Sequence, residues 1–176
     1  MPHQHRHGLG EGEPHTRAQG AGPAEAPGAR RALGLDRRLN KPPKRYLALY
    51  GSLMAGVGGL DRLGCSGSLA YVGPCQISGR LVDLGPYPGL ILGGGIVEAE
   101  LYEVIDDSVL GRLDRYEGHD PRDPSRSLFV RRKLRLLKPP RDAWVFVYNR
   151  NSAGKPIVEA GSWKRHLEAM ARNRRL

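Results

Sequence analysis

Glycine and proline restrict this chain more than any other feature, because 24 glycines and 14 prolines stand among its 176 residues. Glycine destabilises the interior of a helix through its backbone entropy, and proline does so because it lacks an N–H group. This composition argues against a long helical bundle or a coiled coil. No apolar run reaches the ~18 residues that a membrane-spanning helix requires, so we expect no such helix.

Residues 1–42 are predicted to form a disordered tail, and residues 43–176 to form one folded domain. Glycine and proline are frequent in the tail and aromatic residues are absent, so it cannot bury enough apolar surface to offset its ordering entropy. Its four histidines could hold a metal loosely, but a solvated tail is the simpler interpretation. The chain begins without the apolar segment of a secretory signal, which favours a cytoplasmic location.

The formal net charge of +10 favours acidic partners, which include nucleic acid, a membrane surface and small anions. Charge alone does not choose among these partners. The two cysteines, Cys65 and Cys75, lack zinc-finger spacing, and no other residues offer a convincing metal site, so we predict neither metal nor cofactor. A disulfide between them is possible, whereas two reduced thiols in a cytoplasmic protein is the simpler interpretation.

The hydrophobic pattern predicts several strands with few helices. Residues 46–50 form an apolar run that stops at a glycine, which is typical of a buried strand. The other predicted strands are 68–73 and 76–84 with bulges, 96–104, 128–136, and 143–148 in a central position, with a turn at 85–89. This order predicts an α+β fold with a curled mixed sheet or a small barrel.

Two predicted elements carry specific expectations about their faces. In the strand 128–136, Arg131, Lys133 and Arg135 alternate with apolar residues, which predicts a basic outer face. A last helix begins after Ser162 and is expected to bury Trp163, Leu167 and Met170 on one shared face.

The segment from Tyr50 to Gly56 follows the first predicted strand and is rich in glycine. A turn of this kind presents backbone N–H groups, which suit an anion or a developing oxyanion. It lacks the Gly-Lys-Ser/Thr sequence of a phosphate-binding P-loop and the glycine spacing of a dinucleotide fingerprint. Taken alone, the segment is equally consistent with a plain turn.

Glu117 ends a short helix that is predicted to begin after Asp106 and to stop at Gly118. The helix dipole disfavours a negative charge at this end, and burial would raise the carboxyl pKa toward a value that suits a general base. The alternative is an exposed acid that lies beside Arg115 or His119.

Taken in order, the motifs from about Tyr46 to Trp163 resemble the gamma-glutamylcyclotransferase-like family, which includes gamma-glutamylamine cyclotransferases. The motifs are Tyr-Gly-Ser-Leu, Leu-Gly-Pro-Tyr-Pro-Gly-Leu, Glu-Leu-Tyr-Glu-Val, Leu-Asp-Arg-Tyr-Glu-Gly, Ala-Trp-Val-Phe-Val-Tyr and Gly-Ser-Trp. The resemblance implies a small mixed β-barrel with short flanking helices and a cavity at one end.

The resemblance also implies roles for individual residues. The glutamyl group of the substrate would bind at Tyr50, Gly51, Ser52 and Leu53, and Glu117 would accept the proton. A motif position without an assigned role falls on Asp114, for which we expect a capping or orienting contact.

The implied reaction releases 5-oxoproline and a free amine or peptide from a small gamma-glutamyl substrate, and it requires no metal or organic cofactor. The sequence leaves the amine leaving group and the oligomeric state open. A catalytically inactive member that binds a metabolite is the first alternative. A basic nucleic-acid-binding module is the second, and the low aromatic content of 6% argues against it because base stacking needs aromatic side chains.

Overall fold

The computed structural model describes residues 43–174, which fold around one five-stranded sheet. The strands are β1 Tyr46–Leu49, β2 Leu69–Asp83, β3 Pro88–Val104, β4 Phe129–Arg135 and β5 Asp142–Tyr148. The helices are α1 Gly59–Arg62, α2 Ser108–Glu117 and α3 Trp163–Asn173, with 3₁₀ turns at Ser66–Ser68 and Pro124–Arg126. The predicted disordered tail, 1–42, lies outside the described residues and stays a prediction.

The sheet is mixed, in the order β2-β3-β1-β5-β4, and the predicted α+β class is confirmed. Strand β1 runs antiparallel to β3 and parallel to β5, and β5 is an interior strand as predicted. The barrel is not confirmed, because the sheet stays open between its edge strands β2 and β4. Only an isolated bridge joins Gln76 of β2 to Lys138 beyond β4. Pro139 and Pro140 follow that bridge, and they lack the N–H groups that would extend it into a ladder.

Strands β2 and β3 form one long hairpin, which is more continuous than the sequence indicated. The predicted strands 68–73 and 76–84 are a single strand, and the register shifts after Tyr71 and Ser78 are the expected bulges. Strand β3 begins at Pro88, inside the predicted turn 85–89, so it is eight residues longer than predicted at this end.

The apolar side chains form two clusters that share strand β1. Ala48 and Tyr50 belong to a cluster that includes Trp163 at the start of α3. Leu47 and Leu49 belong to a second cluster, which includes the inward face of α2. The predicted buried strand is confirmed, and the structure shows that β1 is buried on both faces.

The predicted basic outer face of β4 is partly wrong. Lys133 and Arg135 are exposed, but Phe129 on the same strand is only 3% exposed and packs in the cluster that contains α2. Arg131 is half-buried and pairs with Asp114 of α2. Helix α2 therefore covers one end of the face that the alternation assigned to solvent.

The shared apolar face predicted for α3 is also partly wrong. Trp163 is 1% exposed, whereas Leu167 is 37% exposed, so the helix packs firmly only through its first turn. Cys65 and Cys75 are both buried and carry free thiols, so no disulfide joins them. The two cysteines belong to different apolar clusters.

Candidate active site

A cavity of about 190 Å³ lies where β1 ends, and it contains all five site residues that the sequence singled out. Three segments meet around it: the loop after β1, the turn before β3 and the last turn of α2. The lining residues are Ala48, Leu49, Tyr50, Gly51, Ser52, Leu53, Tyr87, Pro88, Tyr116, Glu117, Leu128, Phe129 and Phe146. Glu117 is the only carboxylate among them.

Residues 51–55, named the binding loop from here on, follow β1 directly. Met54 N–H donates to the Gly51 carbonyl at 3.0 Å, which closes a tight turn. The N–H groups of Gly51, Ser52 and Leu53 make no hydrogen bond to any group within residues 43–174. Three backbone donors at the cavity wall are therefore free to bind a ligand oxygen.

A close approach of two segments requires glycine at position 51. A Cβ atom placed on Gly51 would lie 2.9 Å from Cγ and 3.0 Å from Cδ of Pro88. Gly59 in α1 faces a similar restriction, because its Cβ would overlap the carbonyl oxygen of Ser52. The first residue of β3 and helix α1 thus hold the binding loop from two sides, and an added Cβ at either glycine would force a shift.

Tyr50 is buried beside the cavity, and its hydroxyl donates a hydrogen bond to the Phe146 carbonyl at 2.7 Å. Burial raises the pKa of this phenol well above its ordinary value, and the nearby negative charge of Glu117 raises it further. Tyr50 therefore stays protonated, with its proton directed at a backbone oxygen.

Glu117 is the last residue of α2, and Gly118 ends the helix in the left-handed conformation with φ of 64°. The Glu117 carboxylate is half-buried and makes no hydrogen bond or ion pair within the described chain, so it is not the exposed acid of the alternative interpretation. Burial raises the pKa of this carboxyl from 4.5 to about 7. Near neutral pH, Glu117 can therefore both accept and donate a proton.

Asp114 lies outside the cavity and anchors α2 to the sheet. Arg131 Nη2 donates to Asp114 Oδ2 at 3.0 Å, and Arg131 Nε lies 2.8 Å from Oδ1 without the alignment of a hydrogen bond. The guanidinium also lies 4.9 Å from the ring centroid of Trp144. Asp114 thus fixes the helix three residues before Glu117, which agrees with the orienting contact that we expected.

A second buried carboxylate, Glu100 on β3, was not singled out by the sequence. Its Oε2 accepts hydrogen bonds from Ala55 N–H and from the Tyr102 hydroxyl, both at 2.7 Å, and its Oε1 lies 2.7 Å from Lys164 Nζ. We call these four groups the Glu100 cluster.

Within residues 43–174, no group of three or more metal-ligating side chains comes together. In the same part of the chain, no helix has both the length and the apolar character needed to cross a membrane. The polar groups of the cavity lining are the Glu117 carboxylate, the hydroxyls of Ser52 and three tyrosines, and the backbone donors of the binding loop.

Among known protein families, residues 47–165 match the one described as "Gamma-glutamyl cyclotransferase, AIG2-like". That stretch contains the cavity, the binding loop and both buried glutamates.

Two curated relatives are similar over about half of the chain. The gamma-glutamylcyclotransferase family protein YtfP of Escherichia coli K12 is 34% identical over 84 residues, which cover 48% of this chain and 66% of that protein. The gamma-L-glutamyl-butirosin B gamma-glutamyl cyclotransferase of Niallia circulans is 37% identical over 79 residues, which cover 43% of this chain and 50% of that protein. The chain thus spans from one half to just under two thirds of the length of these relatives.

Two solved structures share the fold. A uropathogenic E. coli-specific protein superposes with a TM-score of 0.56 at 20% identity, over 72% of this chain and 98% of its own. An AIG2-like protein from Mus musculus superposes with a TM-score of 0.53 at 22% identity, over 67% of this chain and 88% of its own. At this level of identity, the likeness extends to the fold alone.

Proposed function

We propose that this chain, which belongs to the gamma-glutamyl cyclotransferase, AIG2-like family, converts a gamma-glutamyl amine or peptide to 5-oxoproline and the free amine. One observation carries the proposal: Glu117 is an unpaired carboxylate with a pKa of about 7 in a cavity that also presents three free backbone donors. Structural carboxylates are normally paired, so an isolated one in a cleft indicates acid–base chemistry.

The reaction needs little more than correct placement of the substrate. The α-amine of a gamma-glutamyl group attacks its own γ-carbonyl carbon, a five-membered ring closes, and the bond from that carbon to the leaving nitrogen breaks. Holding this geometry replaces a bimolecular encounter, and effective molarities of order 10⁵ M or more are known for such intramolecular reactions. A small cavity with rigid walls is suited to this task.

Glu117 would carry the proton in both directions. The attacking amine loses a proton as the new carbon–nitrogen bond forms, and the leaving nitrogen gains one as the old bond breaks. A carboxyl with a pKa near the working pH serves as base in the first step and as acid in the second. Glu117 is the only carboxylate among the described residues that line the cavity, so one residue would take both roles.

The binding loop would hold the glutamyl group. The N–H groups of Gly51, Ser52 and Leu53, which have no partner within the described residues, would bind either the substrate carboxylate or the oxyanion that develops on the γ-carbonyl. Tyr50 would close the wall beside them, because its hydroxyl is already engaged with a backbone carbonyl.

The domain that performs this reaction would be residues 43–176, with the tail 1–42 outside it. A cytoplasmic location also belongs to the proposal, because both cysteines carry free thiols as expected in a reducing compartment. The relative from Niallia circulans bears the name of a gamma-glutamyl-butirosin substrate. Gamma-glutamyl amines of that kind therefore belong in a substrate screen beside gamma-glutamyl peptides.

The test is a screen of gamma-glutamyl amines and peptides for release of 5-oxoproline, with the wild-type protein and Glu117→Gln compared at equal concentration. We expect release from at least one compound by the wild type, and none above background by the variant. If the wild type releases 5-oxoproline from no compound but is stabilised by one of them in thermal melts, the inactive metabolite-binding alternative replaces the proposal.

A further inference from the structure

The binding loop presents its free donors only while its backbone keeps one conformation. Glu100 Oε2 accepts a hydrogen bond from the N–H group of Ala55, at the end of the binding loop, at 2.7 Å. Ala55 directly follows the turn that Gly51 and Met54 close. A shift at Ala55 is therefore transmitted to the neighbouring donors through a very short stretch of chain.

The position of Glu100 in the sheet explains why its side chain contacts Ala55 in the binding loop. Glu100 pairs with Leu49, the last residue of β1, so its side chain starts beside the point where the binding loop begins. Tyr102, two residues further along β3, faces the same side and donates to the same carboxylate oxygen. Lys164, in the first turn of α3, occupies the other oxygen. Three separate elements of the fold thus fix the orientation of one carboxylate.

We propose that Glu100 is a positioning residue for the cyclisation reaction, which holds the binding loop in its donor-presenting conformation through Ala55. This inference rests on the proposed function. Glu100 does not line the cavity and so does not touch the substrate. Its effect passes through the loop backbone, and a displacement of about 1 Å in a binding group can lower a rate ~10²-fold.

The charge of Glu100 is suited to a permanent contact. Burial by itself raises the pKa of this carboxyl, but the hydrogen bonds from Lys164, Ala55 N–H and Tyr102 outweigh burial and hold the pKa below its ordinary value. Glu100 therefore stays ionised over the pH range in which Glu117 titrates. The loop keeps its anchor while the catalytic proton moves.

Glu98 provides a matched control. It lies on the same strand and the same side as Glu100, and it pairs with Arg165, the residue after Lys164, at 2.5 Å. Glu98→Gln therefore removes a contact between β3 and α3 but leaves the binding loop untouched. Comparing Glu100→Gln with Glu98→Gln separates the loop contact from general packing of the helix.

The experiment measures amide hydrogen exchange and steady-state kinetics in Glu100→Gln, Glu98→Gln and the wild type. We expect Glu100→Gln to speed exchange at Met54 and Ala55, the two hydrogen-bonded amides of the binding loop, at least about tenfold. We also expect it to raise KM for a gamma-glutamyl substrate about tenfold or more. The pH at which kcat/KM reaches half of its maximum on the acid side, which reports the pKa of Glu117, should stay unchanged. Glu98→Gln should match the wild type within about twofold in exchange and in KM.

Unchanged exchange at Met54 and Ala55 of Glu100→Gln would overturn the inference, whether or not activity is found. If loop exchange rises but the wild type cyclises no gamma-glutamyl compound, the proposed function fails and the structural anchor stands. If Glu100→Gln does not fold, Lys164→Met serves instead. Lys164 is half-exposed, and its substitution removes one of the contacts of the Glu100 carboxylate. We expect it to loosen the loop in the same direction to a smaller extent, and no loosening there would refute the anchor.

Discussion

The cavity and the Glu100 cluster each contain one buried glutamate, and the two sites give the same side chain opposite properties. Glu117 has apolar neighbours and no partner, so burial raises its pKa to about 7. Glu100 receives three hydrogen bonds, which hold its pKa below the ordinary value despite burial. Both sites contact the binding loop, the first at residues 51–53 and the second at residue 55.

The difference shows how the donors around two side chains of the same type can shift their pKa values in opposite directions. A group that must exchange protons near neutral pH needs to be isolated from donors, since each hydrogen bond would stabilise its charged form. A group that must hold a backbone segment needs as many donors as possible. The fold provides both environments around a short loop, and the predictions below test whether they are as distinct as the contacts indicate.

The largest expected effect is on turnover in Glu117→Gln. The substitution keeps the shape of the side chain and removes its basicity, so turnover should fall at least ~10²-fold while the fold persists. In the wild type, kcat/KM should rise with pH through a midpoint near 7, as Glu117 loses its proton. Steady-state rates between pH 5 and pH 9 measure both effects.

The matched control for that variant is Glu103→Gln, on β3 and paired with Lys44 at 2.7 Å well away from the cavity. It should retain wild-type turnover and pH dependence. Near-normal turnover in Glu117→Gln would remove this residue from the mechanism, and Asp114 or His119 would be the next group to substitute.

The second prediction is that the two glutamates have opposite effects on stability. The pKa of Glu117 is raised in the folded state. The contribution of this carboxyl to the free energy of unfolding is therefore fully present below pH 4.5 and is lost as pH rises to about 7. Glu117→Gln should therefore be more stable than the wild type at pH 8, by about 2–3 kcal/mol, and nearly equal to it at pH 4.

Glu100 should show the reverse sign, because its folded pKa is lowered. Its contribution is present above the unfolded pKa of about 4.3 and is lost as pH falls through the folded value. Glu100→Gln should lose about 2 kcal/mol at pH 8, since hydrogen bonds to a charged group are replaced by weaker ones. Urea unfolding at pH 4 and pH 8 measures both variants, and the same sign for the two would contradict the contrast.

The smallest predicted effect concerns the wall that the cavity shares with the binding loop. In Gly51→Ala, the added Cβ would push against Pro88, so the loop must shift by a few tenths of an ångström. We expect kcat/KM to fall about tenfold with little change in the pKa that reports Glu117. Gly111→Ala is the control, because Gly111 lies on the exposed face of α2 with open space around it.

Gly111→Ala should leave kcat/KM unchanged and stabilise the protein by about 0.5–1 kcal/mol, as expected for alanine in place of glycine inside a helix. Equal loss of activity in both variants would show that the contact between Gly51 and Pro88 has no special importance for the site.

Local sequence patterns determined much of this protein. The apolar run at 46–50 predicted a buried strand, and the stop at Gly118 predicted the end of α2, because hydrophobic runs and left-handed caps depend on adjacent residues. The ordered motifs identified the family, and they singled out Tyr50, Gly51, Ser52, Leu53 and Glu117, which line one cavity.

Contacts between distant segments were decided only by the tertiary structure. The alternation in β4 assigned Arg131 to solvent, but α2 packs across that strand and Asp114 forms an ion pair with the Arg131 guanidinium. The sheet stays open, although the strand pattern was compatible with a barrel, since closure depends on edges that meet from far apart in the chain. Likewise, nothing adjacent to Glu100 in sequence reveals Ala55 or Lys164. A carboxylate's pKa depends on the donors that folding brings to it, so only the fold gave the two glutamates pKa shifts of opposite direction.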